Sequence, residues 1–232
     1  QAVKGAGHGD YNTIVLAPYS AQEMVDFAFK AFELAEKYRN PVMILSDGGL
    51  AKMMESVELP DRIAPDTQFP WALTGAKNRD ANVITTCAKS PKQWEEYNLV
   101  LQEKFIKIKD AEQKWESYKT EDADVVVVAF GISARIAFSA VKMARDNNMK
   151  VGMIRPITLW PFPEKAFKGL DDKYFFVTEL NAGQMVEDVK LSVKDKDKVS
   201  FYGRLGGMTP TPKELYEKLI ELYKEHKLNA NI

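Results

Sequence analysis

The chain has 232 residues, 45% of them hydrophobic and 11% aromatic, which is enough for a real core in one or two domains. Its 32 Lys and Arg nearly cancel 33 Asp and Glu, and a formal net charge of −1 gives no polyanion-binding field, so nucleic acid is excluded as a partner. One cysteine, Cys87, is too few for a disulfide scaffold or a four-iron cluster, and His8 and His226 lie too far apart in sequence for zinc spacing.

No run approaches the ~18 apolar residues of a membrane span, and no signal peptide is expected. With cysteine usage this sparse, a reducing cytoplasm is the expected location. In chain order, residues 1–13 are a glycine-rich loop around His8, Asp10 and Tyr11. Residues 14–17 form a short strand closed by Pro18. Ser20 and Glu23 form a capping box. The helix it opens carries Met24, Phe27, Ala31, Leu34 and Tyr38 on one face. Asn40-Pro41 ends this helix, and residues 42–45 form a second strand. These pieces make one βαβ unit. A single unit of ~30 residues cannot bury both faces of a sheet. Since the chain also opens on Gln1, it is expected to be the C-terminal portion of a longer protein.

Residues 55–90 are irregular, with prolines at 60, 65 and 70 and a strand expected at 82–86. Ser90-Pro91-Lys92-Gln93 opens a long helix of roughly 27 residues. Its aromatic stripe runs through Trp94, Tyr97, Phe105, Trp115 and Tyr118 and packs on the chain's own domains or on a partner. Residues 124–130 are the cleanest strand, and Ser133 caps the helix that follows, with Ala137, Ala140 and Ala144 inward. Two further apolar runs, 151–154 and 174–178, lack strict alternation and fit a parallel sheet covered on both faces. Between them Pro156, Pro161 and Pro163 hold Trp160 and Phe162 in a loop that needs a surface to lie on. Residues 183–193 are helical and 199–202 a strand. A last helix then presents Leu215, Leu219, Leu222 and Tyr223 to the core. The alternation from 123 to 226 predicts a doubly wound α/β domain.

Gly131, Ser133 and Arg135 lie between a strand end and a helix start, where α/β folds bind anions. They are candidate anion ligands, or an ordinary helix cap. Arg155, Glu179, Asn181 and Gln184 follow strand ends and converge on the same edge. An Arg155–Glu179 pair there would fix loops or face a subunit. His8 and Asp10 have no nucleophile partner for a triad, but their loop is placed to touch substrate or a neighbouring subunit.

Five stretches together resemble one family: Gln1-Ala-Val-Lys-Gly with Gly7-His-Gly-Asp-Tyr11, Tyr38-Arg-Asn-Pro-Val-Met-Ile-Leu-Ser-Asp-Gly48, Arg155-Pro-x-Thr-Leu-Trp-Pro-Phe-Pro163, Glu179-x-Asn-Ala-Gly-Gln184, and Tyr202-Gly-Arg-x-Gly-Gly207. This set resembles the α subunit of 2-oxoacid:ferredoxin oxidoreductases, nearest the branched-chain (2-oxoisovalerate) type, over essentially the whole chain. The resemblance implies residues 1–59 as the end of a thiamine diphosphate pyrimidine-type domain. Residues 60–122 would be a connector with the long helix, and 123–232 a doubly wound transketolase C-terminal-like domain. It implies oxidative decarboxylation of a 2-oxoacid with CoA and ferredoxin. It also implies thiamine diphosphate and Mg²⁺ held with a β subunit, and iron–sulfur clusters on β or a ferredoxin-like (γ) subunit. No cofactor is expected on this chain alone. His8, Asp10, Tyr11, Arg155, Trp160, Glu179, Asn181 and Gln184 become candidates for substrate or subunit contact. Asp47-Gly48 resembles the Gly-Asp-Gly diphosphate motif of thiamine enzymes, but Ser46 replaces the first glycine and no Asn-Asn pair follows, so it is read as a strand-ending turn. A reading from another class also fits the residues: a non-catalytic α/β module holding a nucleotide or assembling subunits at the Gly131–Arg135 edge.

Overall fold

The computed structural model describes residues 3, 7, 9–61, 69–85, 90–226 and 228. His8, Cys87 and position 86 of the expected strand lie outside the described residues. The architecture is mixed α/β, as the strand–helix alternation predicts, and is built on two sheets.

The βαβ unit is present. β1 (Ile14–Leu16) and β2 (Val42–Ile44) are parallel and joined by α1 (Ala21–Tyr38). Ser20 caps α1, its Oγ accepting the Glu23 N–H at 3.1 Å. The return bond of the capping box is displaced by one residue: the Glu23 carboxylate accepts from the N–H of Tyr19 at 2.9 Å. The helical period buries Leu34, with Phe27, Ala31 and Tyr38 packed beside it.

Residues 53–61 and 69–85 form neither helix nor strand, so the strand expected from Asn82 is absent over 82–85. Val83 and Ile84 are exposed there, and a strand without a partner ladder leaves its backbone groups unpaired. α2 (Pro91–Ala111) begins on Ser90 with Pro91 in its first turn, as the motif predicts, but it has 21 residues rather than about 27. Its stripe is buried only towards the C-terminus, at Phe105 and Ile108, while Trp94 and Tyr97 stay exposed.

Trp115 and Tyr118, read as the end of that helix, instead lie on β3 (Trp115–Tyr118). β4 (Val125–Val128), α3 (Gly131–Asp146) and β5 (Val151–Pro156) follow, and β3 pairs antiparallel with β5. An open strand edge demands hydrogen-bond partners, and that demand outweighs a local three-and-four spacing. One residue after β5 the chain enters β6 (Thr158–Trp160), which pairs antiparallel with β1. β7 (Tyr174–Glu179), α4 (Met185–Ser192), β8 (Val199–Gly203) and α5 (Pro212–Glu225) complete the described elements. The small sheet has order β2-β1-β6 and the large one β3-β5-β4-β7-β8, with every large-sheet pairing except β3–β5 parallel.

The Thr158–Trp160 stretch is therefore a strand rather than a loop. It supplies the third strand that the lone βαβ unit lacks within residues 14–46. Its aromatics are buried, as expected for a stretch that needs a surface. Trp160 is 6% exposed and meets Phe105 of α2 edge to face at 5.8 Å, and Phe162 stacks on Phe167 at 5.9 Å.

One core joins the sheets. Ile14, Val15 and Leu16 of the small sheet share it with Val126, Val128, Phe175 and Val177 of the large one. The alternate residues Val125 and Val127 face α3 and α5, where Ala137, Ala140, Ala144, Leu215, Leu219, Leu222 and Tyr223 close the opposite side. Glu112, at the end of α2, ties the two long helices together. Its buried carboxylate accepts from Lys37 Nζ at 2.7 Å and Tyr38 Oη at 2.6 Å, both at the end of α1. Among the described residues no helix is long and apolar enough to cross a membrane.

Two measurements test this packing. Trp160→Ala should cost about 3–5 kcal/mol in denaturant melts of the chain, because it leaves a large cavity where β6 meets α2. Burial pushes the Glu112 carboxyl up, but the hydrogen bonds from Lys37 and Tyr38 outweigh burial and hold it below its ordinary 4.5. Its contribution is therefore present above that value and lost as pH falls through the lower folded value. Urea melts at stepped acid pH should show this loss in the native chain and a flatter acid limb in Glu112→Gln.

Candidate functional site

The chain runs from β4 to β5 on one side and then returns to β7 on the other side of β4, so the order reverses between β4 and β7. At such a point the loops beyond the strand ends part and leave a crevice. Here that crevice is a cavity of about 360 Å³. Phe130, beyond β4, and Glu179, ending β7, stand on two of its sides, with Leu45 from beyond β2 and Leu159 and Phe162 from the segment joining the sheets.

Glu179 is 1% exposed. Its carboxylate accepts the N–H groups of Gln184 at 3.2 Å, Met185 at 2.9 Å and Val186 at 3.0 Å, and Asn181 Nδ2 at 3.1 Å. Asn181 Oδ1 in turn accepts the Gly183 N–H at 2.7 Å. The Glu179-x-Asn-Ala-Gly-Gln184 stretch is thus a capping device. A buried carboxylate satisfies the orphan donors at the start of α4, and those donors offset the cost of burying it. Gly183, at φ 105°, takes the left-handed turn that brings the N–H groups round.

The expected Arg155–Glu179 pair does not form. Arg155, 3% exposed, points towards α1. It binds Glu23 through Nη1 at 3.0 Å and Nη2 at 2.7 Å, and Glu116 through Nε at 2.9 Å. The ring of Tyr19 lies 3.9 Å from its guanidinium carbon. Burial alone would lower the guanidinium, but the two carboxylates outweigh it and hold it above its ordinary value. Successive residues of a strand project to opposite faces, and a six-residue β5 therefore aims Arg155 away from the partner that strand-end proximity suggests.

The Gly131–Arg135 edge is occupied from within the chain. Ser133 does not cap α3; Phe130 is the N-cap, and Ser133 is buried inside the first turn. The Ile132 N–H donates instead to Asp47 Oδ2 at 2.8 Å. Asp47 Oδ1 accepts the Leu50 N–H at 2.8 Å, so one carboxylate bridges the end of the small sheet to α3. Gly131, at φ 58°, leaves room for this carboxylate, since a Cβ there would fall 2.6 Å from Asp47 Oδ2 and displace it. Arg135 is tied to Glu55 Oε1 at 2.7 Å and to the Tyr19 carbonyl at 3.2 Å. A phosphate approaching this helix start would meet a carboxylate, and no group of three or more metal-ligating side chains exists among the described residues. The Gly131–Arg135 edge, with Asp47 on its free N–H, does not fit a diphosphate. Asp47, read from the sequence as a turn residue, is the clamp that was missed. The Ser46-Asp47-Gly48-Gly49 run signals a sharp turn but not the helix it reaches, 85 positions away.

Asp10 and Tyr11 lie apart from the crevice, in an open groove of about 630 Å³ against Glu95, Asn98 and Gln102 of α2. Gln102 Nε2 donates to the Asp10 carbonyl at 3.0 Å. Trp160 belongs to the core and lines neither space.

Two sheets sharing a core, with a crevice at the strand-order reversal of a mainly parallel five-stranded sheet, define a doubly wound α/β scaffold with a ligand-sized crevice at its switch point. Comparison with known proteins narrows the class. Residues 2–120 match the family described as pyruvate flavodoxin/ferredoxin oxidoreductase, thiamine diphosphate-binding, and residues 123–215 match pyruvate:ferredoxin oxidoreductase core domain II. The chain belongs to this pyruvate flavodoxin/ferredoxin oxidoreductase family. It is 43% identical over 230 residues to the ketoisovalerate oxidoreductase subunit VorB of Methanothermobacter marburgensis, covering 97% of this chain and 64% of that protein. It is 33% identical to the 2-oxoglutarate synthase subunit KorA of Methanocaldococcus jannaschii, covering 90% and 63% respectively. A solved 2-oxoglutarate:ferredoxin oxidoreductase from Magnetococcus marinus shares the fold, with a TM-score of 0.72 at 23% identity over 94% of this chain and 44% of that one. The chain spans about two thirds (64%) of the VorB relative's length.

Glu179→Ala should strand the N–H groups at the start of α4 and cost about 2–3 kcal/mol. Hydrogen exchange should speed selectively at residues 184–189, and equal protection there in the variant would show that the carboxylate is not the cap.

Proposed function

We propose that this chain is part of the α subunit of a thiamine-diphosphate-dependent 2-oxoacid:ferredoxin oxidoreductase acting on a branched-chain 2-oxoacid such as 2-oxoisovalerate. The reaction takes the 2-oxoacid, CoA and oxidised ferredoxin to acyl-CoA, CO₂ and reduced ferredoxin. One observation carries the substrate class. Identity to two ketoisovalerate oxidoreductase subunits is 43% and 42%, against 28–33% for 2-oxoglutarate synthase subunits matched over similar shares of the chain.

We place residues 1–59 at the end of the pyrimidine-type domain, 60–122 in the connector and 123–232 in the transketolase C-terminal-like domain. Thiamine diphosphate supplies an electron sink for decarboxylation when bound in the assembled enzyme. Because Asp47 holds the α3 start, we assign its diphosphate and Mg²⁺ to a β subunit. Iron–sulfur clusters fall to β or to a ferredoxin-like subunit. This chain's share is structural. Arg155 and Asp47 lock the two sheets, Glu112 ties α2 to α1, and Glu179 sets the α4 wall of the crevice. Asp10, Tyr11, Asn181 and Gln184 remain the residues we assign to substrate or subunit contact. We place the complex in the cytoplasm.

The test is the assembled complex, assayed by CoA-dependent viologen reduction with 2-oxoisovalerate and with 2-oxoglutarate. We expect kcat/KM to favour the branched-chain acid by about tenfold or more, since an apolar pocket rejects a second carboxylate. A preference for 2-oxoglutarate would overturn the substrate assignment.

A further inference from the structure

α1 ends in a basic recess to which the proposed reaction assigns no role. Its C-cap, Arg39, turns left-handed at φ 47° and carries its guanidinium over the Trp71 ring, 5.1 Å from the centroid. Trp71 is itself stacked on Phe69 at 5.0 Å, so the connector is built against this arginine. Lys104 reaches the same place from α2, its Nζ donating to the Arg39 carbonyl at 3.3 Å. Arg39 and Lys104 line a recess of about 380 Å³ with Tyr38, Tyr97, Val83, Ile84 and Thr85, and no carboxylate among the described residues lines it.

The charges here are uncompensated. Among the described residues neither Arg39 nor Lys104 has an ion-pair partner, whereas their neighbour Lys37 is paired with Glu112. Burial, and then the charge of Arg39, push the Lys104 ammonium below its ordinary value. Two cations converging on a concave, partly desolvated space repel each other unless an anion joins them. An arginine and a lysine bordering one recess suit a phosphate, which carries more charge and more acceptor oxygens than a carboxylate. The rest of the wall is Tyr38, Thr85 and three accessible apolar or aromatic side chains, Tyr97 at 55% exposed, Ile84 at 60% and Val83 at 80%.

We propose that Arg39 and Lys104 form a binding site for the phosphate of a small organic molecule, whose body lies against Tyr97, Val83 and Ile84. The site is independent of the 2-oxoacid the complex prefers, and its test needs no turnover.

The experiment is thermal melting and titration calorimetry of the whole 232-residue chain with inorganic phosphate, adenosine 5′-monophosphate and adenosine, at an ionic strength held constant with sodium chloride. Phosphate and the monophosphate should both raise Tm, and the monophosphate should bind about tenfold more tightly. Arg39→Gln and Lys104→Gln should each weaken binding about tenfold or more, and Lys104→Arg should retain it. Far-UV circular dichroism of each variant separates lost binding from lost fold. Adenosine matching the monophosphate, or a folded double Gln variant binding as well as the native chain, would overturn the site, as would no shift with any anion. Equal affinity for phosphate and the monophosphate would overturn the organic part.

Discussion

The structure depends on the backbone of one residue. Ile157 stands between the last residue of β5 and the first of β6. Its N–H donates to the Lys114 carbonyl at 2.9 Å, on the side of the large sheet, and its carbonyl accepts the Ala17 N–H at 2.8 Å, on the side of the small one. The chain leaves one sheet and enters the other within a single residue. The two ladders cannot slide relative to each other without breaking both bonds. Thr158 reinforces the step, its Oγ1 accepting the Lys114 N–H at 3.0 Å. Because the sheets are held this closely, their apolar faces form one core instead of two.

Polar contacts then fix the angle that the core leaves free. Arg155 reaches the first turn of α1, Asp47 the first turn of α3, Arg135 the segment at Glu55, and Glu112 the last turn of α1. Arg155 and Asp47 each span from one sheet's elements to the other's, Arg135 ties α3 to the segment that follows the small sheet, and Glu112 joins the two long helices. Dispersion and hydrophobic burial are non-directional, so a shared apolar core alone permits many relative orientations. Buried, fully paired charges are costly to displace and therefore select among them. In this molecule they converge around Tyr19, which offers Arg155 its ring and Arg135 its carbonyl.

The crevice is a product of both layers. The large sheet contributes the strand-order reversal, and the segment joining the sheets contributes Leu159 and Phe162 as its apolar wall. Glu179 spends its hydrogen-bonding capacity on α4, which makes it a support for the wall rather than a free base. That division, a rigid scaffold with its buried charges already paired, suits a chain whose relatives are subunits of larger enzymes.

Much of the fold was legible in the residues. Apolar runs of strand length located every strand of the large sheet except β3, and capping signals at Ser20 and Ser90 marked helix starts, because such signals act within a few residues. The inward faces of α1 and α5 followed from the 3.6-residue period, and the quoted motifs sufficed to point to the family. What the sequence could not determine alone were the choices made by distant partners. Trp115 and Tyr118 fit a helical stripe until β5 offers an edge. Thr158, Leu159 and Trp160 resemble a proline-bounded loop until β1 offers a ladder. Arg155 could have met Glu179, but the face of β5 sends it to Glu23, and the α3 start that would suit an anion is filled by Asp47. Local propensity is set by neighbours along the chain, whereas pairing of edges and buried charges is set by whatever the completed packing brings within about 3 Å, and only the tertiary structure decides that.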